Sequence, residues 1–150
     1  MTPSAQDLWN RYRVLRPDAP QQPFEVFHFC DNQPDADICA DLVVRGIKRA
    51  TAASVAELEL AGTRLPRIGD VSVVTTWNGE AVAIIETTAV EVRRIADVDA
   101  AFALREGEGD KSLTWWRDAH DAYFRRVLAG TAHEVNDDLL IVCEHFERVL

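Results

Sequence analysis

At 150 residues, with 47% hydrophobic and 27% charged side chains, the chain has the composition of one globular domain that can bury a core without disulfide staples. Its formal charge of -9 repels a polyanion at long range, which argues against sequence-blind gripping of nucleic acid, and no stretch is apolar for long enough to cross a bilayer. Cys30, Cys39 and Cys143 are odd in number and lack paired ligand spacing, so neither a disulfide framework nor a zinc knuckle is expected.

The first residues carry neither a basic region nor an apolar one, which makes a cytoplasmic location the expectation. Ser4 is placed to cap a first helix in which Leu8, Trp9, Tyr12 and Leu15 recur at helical spacing, and Pro17 with Pro20 ends it. Phe24, Val26, Phe27 and Phe29 form an aromatic cluster suited to a core or a strand edge, with His28 inside it. Asn32 or Gln33 precedes Pro34, and a second helix runs from there to Gly46. Asp35, Asp37, Asp41 and Arg45 face one way on it and Ile38, Cys39, Leu42 and Val43 the other, so Gly46 reads as a left-handed cap.

Lys48 and Thr51 follow that cap, two residues apart, and a turn there presents an ammonium and a hydroxyl to one small ligand. From Arg45 to Arg67, the cations Arg45, Lys48, Arg49, Arg64 and Arg67 outnumber Glu57 and Glu59, which favours a nucleotide or a short strand over a coated duplex. A short helix through Val55–Leu60 ends at Gly62, and Val71–Thr76 is β-branched enough for a strand. Asn78-Gly79 then turns the chain into a long strand, Ala81–Val92. Within it Glu86 either sits on the wet face or is held inside by a partner.

Asp97 or Asp99 caps a helical turn that leads into Glu106-Gly107-Glu108-Gly109-Asp110, the second candidate site. That stretch reads either as a metal loop, though without the ligand ladder of a calcium hand, or as an acidic wall that pairs with Lys48 or Arg49 and buries a carboxylate beside a ligand. Ser112 caps a last long helix with Leu113, Trp116, Ala119, Tyr123, Phe124, Val127 and Leu128 on its apolar face. Trp115 is out of phase and covers a loop or forms one side of a pocket, where Arg117, His120 and Tyr123 are available as donors. A closing strand spans Leu139–Leu150.

Taken together, Phe29-Cys30-Asp31, Gly46-Ile47-Lys48-Arg49-Ala50-Thr51, Gly69-Asp70, Ile84-Ile85-Glu86-Thr87, Glu106 to Leu113 and Trp116 to His120 resemble the ASCH family over residues 24–148. The resemblance implies an α+β fold with a PUA-like β-barrel and flanking helices, in a single domain. It further implies RNA, short or single-stranded, or a modified nucleoside as partner, and either ribonuclease activity or hydrolysis of acetylated cytidine. Family members that act as amidohydrolases use a Lys, a Thr and a Glu, which fall here on Lys48, Thr51 and Glu106, with Glu108 as second choice for the acid. This chain is longer than they are and carries paired glycines that they lack.

On that reading Thr51 is nucleophile or water-orienting hydroxyl, and Lys48 is proton acceptor if neutral or oxyanion partner if charged. Glu106 orients the lysine or carries a proton. Arg45, Arg49, Arg67, Glu108, Trp116 and Tyr123 are the expected substrate-binding residues; in the binding alternative Lys48, Arg49 and Arg67 hold a phosphate while a tryptophan or tyrosine stacks on a base. No cofactor and no metal is expected. The alternative keeps the cleft as a non-catalytic RNA- or nucleotide-binding module.

Overall fold

The protein is described over residues 1–150 by a computed structural model. Its five strands form one mixed sheet in the order β1 (Val26–Phe27), β3 (Val71–Thr75), β4 (Ala81–Arg94), β5 (Leu140–Arg148), β2 (Ala50–Ser54). β1 runs parallel to β3 and every other neighbour is antiparallel. The barrel implied by the resemblance is corrected to an open α+β sheet: β1 and β2 are its edges and no ladder joins them. With only two paired residues, β1 is too short to carry the sheet round. Residues from both edges instead line one cavity, so the gap a barrel would close is where the candidate site sits.

Five α-helices cover the sheet: α1 (Pro3–Leu15), α2 (Gln33–Val44), α3 (Val55–Ala61), α4 (Ala100–Glu106) and α5 (Leu113–Val127). None is long and apolar enough to cross a membrane. Thr2, not Ser4, caps α1 by accepting from the Ala5 N–H, while the Ser4 hydroxyl accepts from the Ala81 N–H and ties the helix to β4. Trp9, Tyr12 and Ala5 then bury against Val71, Val73 and Ile84. A second cluster packs Cys39, Ala40 and Val43 of α2 on Phe29, Val74, Ile85 and Phe146. A third places Phe102, Trp116, Phe124 and Leu128 of α4 and α5 on Ala50, Ile141 and Cys143. Ile38, expected on the inner face of α2, is exposed and stands at the cavity instead.

Asn32 caps α2 by accepting from the Asp35 N–H. At the other end Gly46, at φ +71°, lets its own N–H reach the Val43 carbonyl at 3.0 Å and the Ile47 N–H reach Leu42 at 2.9 Å, a Schellman pair that satisfies the last carbonyls of the helix. The reversal sends the chain across the sheet, where the Arg49 N–H donates to Arg105 at 2.8 Å and the Arg49 carbonyl accepts from Phe146 at 2.9 Å. Lys48 is thereby held between the ends of α2 and α4. A Cβ at Gly46 would meet open space, so Gly46→Ala carries only the strain of an L-residue in the left-handed region. The expected cost is about 1–2 kcal/mol, read by urea denaturation.

Candidate functional site

Lys48 is 2% exposed and its ammonium donates three hydrogen bonds: to the Ala50 carbonyl at 2.8 Å, Glu106 Oε1 at 3.2 Å and Glu108 Oε2 at 3.1 Å. Glu106, 58 positions later in the chain, is 1% exposed. Its other oxygen, Oε2, accepts from the Trp116 indole N–H and lies 3.1 Å from His120 Nε2. The second nitrogen of His120, Nδ1, is 2.8 Å from the Trp116 carbonyl oxygen. Both ring nitrogens therefore face acceptors, which only the doubly protonated imidazolium satisfies. Cys39 Sγ donates to Glu108 Oε1 at 3.0 Å, with Cys30 Sγ 3.7 Å beyond it.

The electrostatics follow from this geometry. Burial works against the charged form of Lys48, but Glu106 and Glu108 outweigh it and raise the lysine above its ordinary value. Burial likewise works against the Glu106 carboxylate, but Lys48 and then His120 hold it down to about 2. For His120, the desolvation that would lower it is overcome by Glu106, so it is raised above 6.5. Two anions are thus balanced by an ammonium and an imidazolium. The sequence left the charge of Lys48 open; the two carboxylates keep it cationic, so it is not the proton acceptor of the resting site.

Paired glycines bring the two candidate segments together. Gly107 ends α4 at φ +69°, and a Cβ there would lie 2.7 Å from the Ile47 carbonyl oxygen. At Gly109 a Cβ would meet the Trp115 ring at 2.1 Å. The backbone of the acidic loop thus lies directly on the residue before Lys48, with Trp115 folded over it.

The cluster closes one end of a cavity of about 430 Å³, walled by Phe24, Phe27, Phe29, Trp115 and Tyr123 and lined also by Thr51, Ser72 and Glu144. The Tyr123 hydroxyl donates to Glu57 Oε1 at 3.0 Å, which fixes the ring, and Glu57 in turn completes the capping box of α3 with Ser54. Of the residues singled out in the sequence, Lys48, Thr51, Glu106, Glu108 and Tyr123 border this cavity. Arg45, Arg49 and Arg67 do not: all three are exposed outside it, Arg45 beside Asp41 at 3.5 Å and Arg49 folded back on the Gly46 carbonyl at 3.1 Å. Trp116 is not a stacking surface either, since it is 1% exposed in the core and reaches the site only through its N–H. Trp115 is the tryptophan of the wall.

Glu144 is the residue that sequence reasoning did not place in the cavity wall, and His120, expected there only as a donor, is in addition a partner of Glu106. His120 lies one helical turn past Trp116 and stacks on it at 4.0 Å between ring centroids, a spacing visible in the sequence. Two ligand triads, Glu106/Glu108/His120 and Cys30/Cys39/Glu108, gather atoms close enough for a metal ion. They come from separate elements, which is why spacing did not reveal them. The Lys48 ammonium sits between both carboxylates, in the position a cation would take.

A family model described as ASCH domain matches residues 25–150. An ASCH domain structure from Lactobacillus crispatus is similar at TM-score 0.89 and 35% identity, covering 99% of this chain and 96% of that one. A protein structure from Enterococcus faecalis is similar at TM-score 0.89 and 28% identity, covering 99% and 90%. A mutant ASCH protein from Zymomonas mobilis shares the fold at TM-score 0.50 and 15% identity, covering 83% and 70%. No curated protein matches the chain.

Two outcomes test this construction. Gly107→Ala is expected to cost about 2–4 kcal/mol, more than Gly46→Ala, because a backbone carbonyl rather than open space meets the new methyl group; paired urea titrations measure the difference. Linkage supplies the second. His120, raised when folded, contributes stability that is complete below about pH 6.5 and is lost as pH rises through its folded value. Glu106, lowered when folded, contributes stability present above about pH 4.5 and lost as pH falls towards 2. In His120→Gln the fall in unfolding free energy above pH 6.5 should flatten while the acid-side loss persists.

Proposed function

The chain belongs to the ASCH domain family, and from that premise and the cavity chemistry we propose that it is a hydrolase of an acylated, nucleoside-sized substrate such as acetylated cytidine. The observation that carries this reading is the ammonium of Lys48 held cationic on the lining of an aromatic-walled cavity that Thr51 also lines. A volume of about 430 Å³ suits a nucleoside better than a strand. Both arginines on the lining are already committed to acids: Arg126 to Asp31 at 2.8 and 3.1 Å, and Arg64 to Asp70 at 2.8 and 2.9 Å. Neither is free to grip a phosphate, which places cleavage of a polynucleotide second.

In this mechanism the aromatic walls stack the base and place its acylated amine beside β2. The Thr51 oxygen attacks the acyl carbon, and Lys48 meets the negative charge that grows on the carbonyl oxygen by turning to it the N–H that it gives to Glu108 at rest. Glu106 keeps that ammonium charged and aimed, itself fixed by Trp116 and His120. The C–N bond then breaks, the amine leaves with a proton, and water releases the acid from Thr51.

Purified protein is expected to deacylate acetylated cytidine, with Thr51→Ala lowering turnover at least about 100-fold and leaving the melting temperature near wild type. Lys48→Ala should abolish turnover and also destabilise the fold by about 3–5 kcal/mol, because the buried Glu106 and the half-buried Glu108 lose their shared counter-charge. Saturable nucleoside binding without turnover would replace the hydrolase with a binding module.

A further inference from the structure

Resting on that hydrolase reading, we propose that Glu144 is a catalytic carboxylate of the cavity, the group that takes the proton from the Thr51 hydroxyl and later from the hydrolytic water.

The register of the sheet places it there. β2 and β5 pair with Thr51 directly opposite Glu144, which puts their side chains on the same face with Cβ atoms about 4.5–5.5 Å apart. Both residues line the cavity. One oxygen of Glu144, Oε1, accepts from the Thr87 hydroxyl at 2.7 Å, and this is the one hydrogen bond the side chain makes within the protein. Oε2 is left for a ligand or for Thr51. By contrast, Glu106 has both oxygens engaged and Lys48 is held protonated, so neither accepts a proton in the resting site.

The surroundings suit the task. Burial pushes Glu144 above the ordinary carboxylate range, the Thr87 hydroxyl opposes this, and the acids Glu25 and Asp70 add to it. Asp70 is itself paired with Arg64, and across the cavity stand Lys48, Glu106 and Glu108. A carboxylate raised in this way is a better base than a solvated one while remaining ionised above its own pKa.

The proton balance closes. The Thr51 O–H proton passes to Glu144 as the Thr51 oxygen bonds to the acyl carbon, and the same proton goes to the departing nitrogen as the C–N bond breaks. Water then attacks the acyl-threonine ester and gives one proton to Glu144, which returns it to the Thr51 oxygen as the carboxylic acid leaves.

The test uses acetylated cytidine as probe and steady-state kinetics across pH. Glu144→Gln is expected to lower kcat at least about 100-fold with KM within about threefold, and to remove the acid limb of the kcat profile. Thr87→Val, which takes away the hydroxyl that favours the charged carboxylate, should move that limb to higher pH; a merely structural role for Glu144 would not shift it. If Lys48→Ala and Thr51→Ala abolish turnover while Glu144→Gln keeps more than about a tenth of kcat, the Glu144 assignment falls and the hydrolase reading stands. An acid limb unmoved in Thr87→Val overturns it as well, including where Glu144→Gln fails to fold. No turnover by the wild-type protein sinks both.

Discussion

A lysine ammonium shut away from water between two carboxylates is the constraint on which the rest of this structure depends. Taking an ion out of water costs several kcal/mol even after relaxation, and here Lys48 and Glu106 are both nearly inaccessible. That cost is offset only if every partner arrives in place. The Ala50 carbonyl comes from β2, Glu106 from the end of α4, Glu108 from the loop beyond, and the Trp116 N–H with His120 from α5. Four parts of the chain are thus locked to one another through a single charged group. The resulting set pairs the carboxylates with an ammonium and an imidazolium, and the low dielectric that makes an unpaired member costly also holds the satisfied network in one arrangement.

Much of this was legible in the sequence because it depends on local chemistry. The glycine stop after α2, the Ser112 cap, the Asn78-Gly79 turn and the β-branched run from Val71 each have a short-range cause, and the elements formed where those causes lie. The meeting of Lys48 with Glu106 was legible through resemblance, and paired glycines supply its physical reason. What was not legible concerns direction. Arg49 lies beside Lys48 in sequence but turns outward to the Gly46 carbonyl, whereas Arg45 stays on the polar face of α2 with Asp41, where its helical phase puts it. The division of adjacent tryptophans on α5, Trp116 inward and Trp115 over the loop, was legible because a helix rotates about 100° per residue, and it is that burial which denies Trp116 the stacking role. Sheet closure was a global property that no local signal sets, and the two-residue β1 decides it.

Glu144 shows the limit most clearly. In the sequence it is one acid in an alternating strand, with nothing to separate it from Glu147, which is exposed. Its significance comes from the partner strand, whose residue opposite is Thr51. Antiparallel register converts a separation of most of the chain into a side-by-side pair, and register is specified by the burial of a whole face rather than by either residue. The alternation that buries Ile141 and Cys143 on one face towards α5 turns Val142 and Glu144, on the other face, to the cavity.

Glu106 and Glu144, the two carboxylates in contrasting settings on the cavity lining, are therefore not interchangeable. Glu106 is saturated: its oxygens accept from an ammonium, an indole and an imidazolium, and protonating it would break three charge-assisted or buried contacts at once. It is held low for that reason, and a group held at about 2 is a poor base near neutral pH. Glu144 has the opposite setting, with burial raising it and a single hydroxyl supporting its charge. One acid maintains the field and the other is free to exchange a proton. A pair of carboxyl groups pushed apart in this way is the arrangement that lets one site hold charge and move protons at the same pH.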